Sequence, residues 1–178
     1  MNRPDPRRTG VSSPGLGFVH DGVITLLPGQ MYFGAGVKLK TLLGSCVALT
    51  LWHPARRIGG MCHYMLPSRA RRSGENLDGR YGDEAVEFMV QAIAKAGART
   101  ADFIAHLYGG ADTMPDNSNF KFSVGERNIE LGWSLVDRYG FQLDGVDVGD
   151  NVPRTVTLDI DTGLVAMTRG APANSGRR

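Results

Sequence analysis

Two apolar, β-prone runs separated by a Gly-Ser-Cys break constrain this chain more than any other feature. Leu39 to Leu43 runs into Gly44-Ser45-Cys46, and Val47 to Trp52 leaves it. After a Trp52-His53-Pro54 turn, Ile58 to Leu66 follows with almost no polar alternation. Apolar runs of this length bounded by turn residues predict strands, the last of them buried on both faces. A glycine beside a small residue lets the backbone turn sharply and leaves amide N–H groups facing open space. Cys46 thus stands at the mouth of one strand and His63 on the next, where antiparallel pairing could join them.

The rest of the chain supplies layers around these strands. Gly22 to Leu27 and Met31 to Phe33 are shorter β-prone runs, and Gly34-Ala35-Gly36 between them and Leu39 is a turn rather than a dinucleotide fingerprint. Ala85, Val86, Met89, Val90 and Ile93 recur at helical spacing, with Asp83 and Glu84 at the start and Gly97 after the end, which predicts a helix over 83–96. Ala101 to Tyr108 returns to strand character before Gly109-Gly110-Ala111, and Asp112 to Phe122 is a polar loop. A second helix is predicted over 125–139 with Gly140 as its stop, then strands over 141–148 and 155–160. Asp161-Thr162-Gly163 joins the last of these to Leu164 to Met167 as a hairpin. Strands alternating with two helices predict a layered α/β (α+β) sandwich with mixed sheet.

At 178 residues the chain suits one domain with a sizeable core. Residues 1 to 15, rich in Pro, Gly, Ser and Arg, read as a flexible basic tail, and 171 to 178 as another, leaving 16 to 170 as the folded unit. The formal charge of +2 belongs to the ends, through Arg3, Arg7, Arg8, Arg177 and Arg178, so the body is slightly acidic. No Lys/Arg stripe interleaved with aromatics crosses the body, which argues against nucleic acid as a partner. No run approaches the roughly 20 apolar residues of a membrane helix, and Met1 to Gly15 lacks a signal peptide's apolar core, so a cytoplasmic protein not inserted in membrane is expected. In that reducing compartment the two cysteines are expected as thiols.

A thiol at a Gly-Ser turn with a histidine near it is a reasonable nucleophile and base, because exposed N–H groups favour the thiolate and imidazole can take its proton. Free cysteines also commonly only pack, so the pattern alone leaves both readings open. Cys62 precedes His63 and points to the opposite face of a strand, which makes it a core residue if His63 faces the site. The same alternation disfavours a zinc centre from Cys46, Cys62, His63 and His53, and no paired C-x-x-C spacing supports one. His20 lies by the tail, His53 in a turn, and His106 in a β-prone run where a structural imidazole is the commoner outcome. Asp144, Asp147, Asp150, Asp159 and Asp161 lack the spacing of a calcium loop. Ser68 to Arg80, with Arg69, Arg71 and Arg72, reads as a mobile charged loop, either simply solvated or suited to an acidic protein surface.

Taken together, Leu43-Gly44-Ser45-Cys46-Val47-Ala48, Gly60 to Pro67, Arg80-Tyr81, Tyr108-Gly109-Gly110-Ala111, Val124-Gly125-Glu126-Arg127-Asn128 and Asp147-Val148-Gly149 strongly resemble the CheD family of chemoreceptor glutamine deamidases. The resemblance spans about residues 20 to 168, and its specificity lies in the order and spacing of short motifs. It implies a cofactor-independent protein-glutamine glutaminase, acting on cytoplasmic helices of methyl-accepting chemotaxis receptors. Cys46 is then the nucleophile, His63 the base and acid, and the amides around Gly44 and Ser45 the oxyanion donors. The family's threonine is expected six residues before the cysteine, where Lys40 stands; Thr41 is one out of step and is carried as the third member or as a plain strand residue. Asp150 replaces an expected glycine, and His106-Leu107 replaces a basic or apolar pair, departures that bear on loops and partner contacts. The alternative is a binding module docking on chemoreceptors or on a CheC-type phosphatase, with catalysis secondary.

Overall fold

Lys38–Leu43 (β5) alternates exposed and buried residues without exception, so Leu39, Thr41 and Leu43 face inward while Lys38, Lys40 and Leu42 face solvent. Ile58–Tyr64 (β7), in contrast, buries every residue after its first, the pattern of a strand covered on both faces. These two patterns require different sheets, and the computed structural model, which describes residues 10–12, 19–113 and 123–171, has two.

Besides β5 and β7, the described strands are Val11–Ser12 (β1), Val19–His20 (β2), Val23–Leu26 (β3), Met31–Gly34 (β4), Val47–His53 (β6), Ile104–Gly109 (β8), Gln142–Val148 (β9), Arg154–Asp159 (β10) and Val165–Arg169 (β11). One sheet has the order β1-β4-β7-β6-β8-β9 and the other β11-β10-β5-β3-β2. Both are mixed, since β8 and β9 pair parallel, as do β3 and β5. The expected tail over residues 1 to 15 falls mostly outside the described residues; Val11 and Ser12 lie within it and pair with Phe33 and Tyr32. Residues 172–178 of the expected C-terminal tail and most of the polar loop after Asp112 also lie outside them.

Two helices cover the outer face of the six-stranded sheet. Gly82–Lys95 (α1) carries Asp83 and Glu84 in its first turn and Lys95 in its last, complementing the helix dipole at both ends. Val124–Tyr139 (α2) starts with a capping box in which the Ser123 side chain accepts from Glu126 N–H and the Glu126 carboxylate accepts from Ser123 N–H. It ends at Gly140, whose φ of 69° is the left-handed conformation glycine tolerates. As the crossover between β8 and β9, α2 permits their parallel pairing.

The chain is therefore a three-layer sandwich of helices, six-stranded sheet and five-stranded sheet. Val47, Leu49, Leu51, Cys62 and Tyr64 pack against Val86, Met89, Ile93, Leu135 and Val136 on the helix side. On the other side Tyr32, Ala48, Met61 and Tyr108 meet Ile24, Leu26, Leu39, Leu43, Val156 and Leu158 between the sheets. Each fully buried aliphatic side chain contributes about 1.5–3 kcal/mol, so any polar group in these layers must be hydrogen-bonded or costs stability. Three polar exceptions in the same neighbourhood, Thr41, His63 and Asn128, are buried.

Candidate active site

Gly44-Ser45-Cys46 is the passage from one sheet to the other, since β5 belongs to the five-stranded sheet and β6 to the six-stranded one. β6 pairs antiparallel with β7, with Ala48 opposite His63. Cys46 immediately precedes β6, two residues before Ala48, and so continues the face on which Ala48 stands opposite His63. Its side chain packs against the inter-sheet cluster, whereas Cys62 is fully buried in the helix-side core. The two thiols thus face opposite layers.

His63 is 1% exposed, points between the sheets, and meets Thr41 across the gap: Nδ1 is 2.7 Å from Thr41 Oγ1. Thr41 Oγ1 in turn donates to the Leu26 carbonyl at 2.8 Å. A hydroxyl has one hydrogen, and here it is committed to Leu26, so Oγ1 must accept from His63 Nδ1–H. That assigns the tautomer and leaves the lone pair on Nε2, which has no partner among the described residues. The backbone of His63 is pinned as well, by its N–H to the Gln30 carbonyl at 3.1 Å and its carbonyl to Gly29 N–H at 2.7 Å.

Burial governs the protonation states. It pushes the His63 imidazole down to about 4, so the ring is neutral near pH 7. It also raises the Cys46 thiol, which therefore rests protonated. Cys62, buried completely, is pushed up to about 12. Near neutral pH the Cys46 thiol and the His63 imidazole are therefore both uncharged, and the buried Nε2 has no hydrogen-bond partner among the described residues.

Three consecutive carbonyls hold the cysteine turn from behind. Gly44 accepts from Ala111 N–H at 3.0 Å, Ser45 from Asn128 Nδ2 at 3.1 Å, and Cys46 from Gly110 N–H at 2.8 Å. Gly109 must be glycine for this, because its φ is +110° and a Cβ would stand 2.2 Å from the Cys46 carbonyl oxygen. The amides of Ser45 and Cys46 have no acceptor among the described residues.

The arginines of the 68–80 loop differ in their surroundings. Arg69 forks onto the buried carboxylate of Glu84 at 2.8 and 3.3 Å, and Asp78 N–H joins it there at 2.8 Å, which straps the loop to α1. Glu84 is held below its ordinary value chiefly by that Arg69 hydrogen bond. Arg71 reaches Glu87 at 3.5 Å, and Arg72 is exposed. A cleft of about 600 Å³ opens beside this loop, lined by Met31, Arg69, Glu75, Leu77, Asp78 and Phe88 among others, without Cys46 or His63.

The other histidines are accounted for locally. His53 Nδ1 accepts from Arg56 N–H within its turn, His20 lies on Asp21 at the surface, and His106 contacts Asp144 and stacks on Tyr108. Asp147 is shared by Arg169 and the fully buried Arg154, and Arg154 also donates to the Gly149 carbonyl. Among the described residues no three potential metal ligands cluster, and no helix is long and apolar enough to cross a membrane. Asn128 and Arg154 were not foreseen from sequence. Asn128 alone had a signal, as a polar residue on the apolar face of an otherwise amphipathic helix.

A family model described as CheD chemotactic sensory transduction matches residues 65–169, so the match begins just after His63. Over 153 residues, 84% of this chain and 90% of the relative, the sequence is 42% identical to "Probable chemoreceptor glutamine deamidase CheD 3" of Dechloromonas aromatica. It is 41% identical over 152 residues to "Probable chemoreceptor glutamine deamidase CheD 1" of Chromobacterium violaceum, covering 84% of this chain and 79% of that one. The corresponding protein of Pseudomonas fluorescens is 41% identical over 145 residues, 80% of this chain and 81% of the relative. Among solved structures, the Bacillus licheniformis hypothetical protein YfiH aligns with 65% of this chain and 49% of its own at 14% identity and a TM-score of 0.40, too loose a likeness to bear on fold or chemistry.

Proposed function

The chain belongs to the CheD family, and on that premise we propose that it hydrolyses glutamine side-chain amides of chemoreceptors to glutamate, with Cys46 as nucleophile and His63 as its base. The observation that carries the mechanism is the Thr41–His63 hydrogen bond, which leaves a buried, unpartnered Nε2 on the same face as Cys46. A base needs an available lone pair in the correct tautomer, and Thr41 supplies that condition as a positioning residue.

The steps use only these side chains and water. His63 Nε2 takes the Cys46 proton as sulfur bonds to the carboxamide carbon, and the carbonyl becomes an oxyanion facing the Ser45 and Cys46 amides. The imidazolium then gives its proton to the departing nitrogen, the C–N bond breaks, and ammonia leaves a thioester on Cys46. Water, deprotonated by the same Nε2, attacks the thioester; the C–S bond breaks, the thiol regains its proton, and glutamate is released. Because burial lowers the His63 pKa, the imidazolium is a strong acid toward the leaving nitrogen.

The expected setting is the cytoplasm, with the helical cytoplasmic part of a chemoreceptor as substrate. Arg71 and Arg72 are the loop cations suited to an acidic helix surface, whereas Arg69 is spent on Glu84. Peptide mass spectrometry of cytoplasmic receptor fragments from the same organism, incubated with wild type and with Cys46→Ala, tests the reading. Glutamine-to-glutamate conversion by wild type alone is expected. No conversion under reducing conditions, despite measurable binding, would favour the docking-module alternative.

A further inference from the structure

Asn128 is fully buried on α2, and its side-chain nitrogen donates both hydrogens to backbone carbonyls on either side of the dyad. One goes to Ser45, in the cysteine turn, at 3.1 Å; the other goes to Met65, two residues beyond His63, at 2.8 Å. Since both partners are carbonyls, the amide orientation is unambiguous. Its Oδ1 is then left buried with no partner among the described residues, an arrangement folding alone does not favour. The helix turn that carries it is fixed by Tyr64 Oη donating to the Asn128 carbonyl at 2.6 Å and by the Ser123 capping box. Gly125, on the same turn, lies so close to Gly110 that a Cβ would stand 2.5 Å from the Gly110 carbonyl oxygen.

The consequence lies in the peptide plane. No cis peptide occurs among the described residues, and in a trans peptide the C=O of one residue and the N–H of the next point in opposite directions. Drawing the Ser45 carbonyl toward Asn128 therefore turns the Cys46 N–H away from it. Asn128 approaches from the helix layer, while the Cys46 and His63 side chains face the layer between the sheets. The Cys46 N–H is accordingly held on the side of its peptide plane opposite Asn128, where it has no acceptor among the described residues. We infer that Asn128 is a positioning residue for the reaction: by donating to the Ser45 and Met65 carbonyls it aims the Cys46 amide as an oxyanion donor. This inference rests on Cys46 being the nucleophile, and it adds a residue outside the Thr41, Cys46 and His63 set.

Two reactions of the same thiol separate aim from mere integrity. Acylation of Cys46 by p-nitrophenyl acetate passes through a tetrahedral oxyanion, whereas alkylation by iodoacetamide is a displacement at saturated carbon and forms none. Both are measured against a Cys46→Ala background, with thermal unfolding to establish that each variant is folded. For Asn128→Ala, acylation is expected to fall by at least ~10-fold, toward the ~100-fold typical of losing an oxyanion donor, while alkylation stays close to wild type. If the alanine variant does not fold, Asn128→Ser carries the same test with the same selective loss. Acylation and alkylation falling in parallel in a folded variant, or neither changing, overturns the proposal, as does a wild type with no Cys46-dependent acylation. A wild type that acylates at Cys46 but releases no ammonia from receptor fragments would count against the deamidase reading alone, leaving Asn128 judged by the ratio of the two rates.

Discussion

Thr41→Val isolates the contribution of one hydroxyl. The substitution keeps the side chain's branched shape but removes the acceptor of His63 Nδ1–H and the donor to the Leu26 carbonyl, all in fully buried surroundings. A buried group left unpaired costs about 1–3 kcal/mol, and relief from burying the hydroxyl itself offsets part of that, so a net destabilisation of about 1–2 kcal/mol is expected. The effect on rate is larger. Without Thr41 the imidazole proton is free to move to Nε2, and the tautomer able to accept from Cys46 loses a hydrogen bond worth about 1.4–3 kcal/mol, which corresponds to a ~10- to 100-fold fall in kcat. Ammonia release from a receptor fragment measures kcat and KM, urea unfolding measures stability, and nitrogen NMR of the imidazole reads the tautomer directly. Thr41→Ser restores the hydroxyl and is expected to restore most of the rate. A Thr41→Val enzyme with wild-type kcat, or a serine variant no better than valine, would refute the tautomer argument.

Three further outcomes follow from burial and pairing. The rate of Cys46 alkylation should still be climbing past pH 9.0, because burial raises its thiol above that ordinary value; a plateau near neutral pH would mean a thiolate–imidazolium pair instead. Cys62 should stay unmodified until the protein unfolds. His63 has its folded pKa lowered from 6.5 to about 4, so its contribution to stability is present above pH 6.5 and is lost as pH falls through about 4. Urea midpoints for wild type should decline across that window more steeply than those of His63→Gln, and equal slopes would contradict the burial argument. Arg69→Ala should lower the melting temperature clearly, since it strands the buried Glu84 carboxylate, while Arg71→Ala and Arg72→Ala should leave it nearly unchanged and act on receptor affinity; thermal scans and binding isotherms of the three variants discriminate these roles.

How much of this was legible in the sequence depended on the range of the interaction. α1 and α2 follow from helical spacing, first-turn acids and terminal glycines, because their signals lie within a few residues of what they specify. The two-sided burial of β7 was likewise visible in its unbroken apolar run. The residues alone made Thr41 legible as a strand position, and the family resemblance raised it as a third member; its inward direction follows from the alternation of β5, but its partner lies 22 residues away in the other sheet. Arg69, read from a charge-rich loop as a recognition residue, has its fork on Glu84, a pairing that the spacing of the loop does not encode. Arg154 carries no local mark of burial, and Asn128 only that of a polar residue on the apolar face of α2; its carbonyl partners, Ser45 and Met65, lie 83 and 63 residues away.

The sequence by itself determined the elements, the layered class, the family resemblance and the candidate thiol and imidazole, because periodicity, turn chemistry and short motifs are local properties of the chain. Tertiary structure alone decided that the Gly44-Ser45-Cys46 turn crosses between sheets, that Thr41 fixes the His63 tautomer, and that Asn128 binds both strands of the site. Those are statements about which donors and acceptors meet after burial, and hydrogen-bond partners distant in sequence are chosen by packing rather than by pattern.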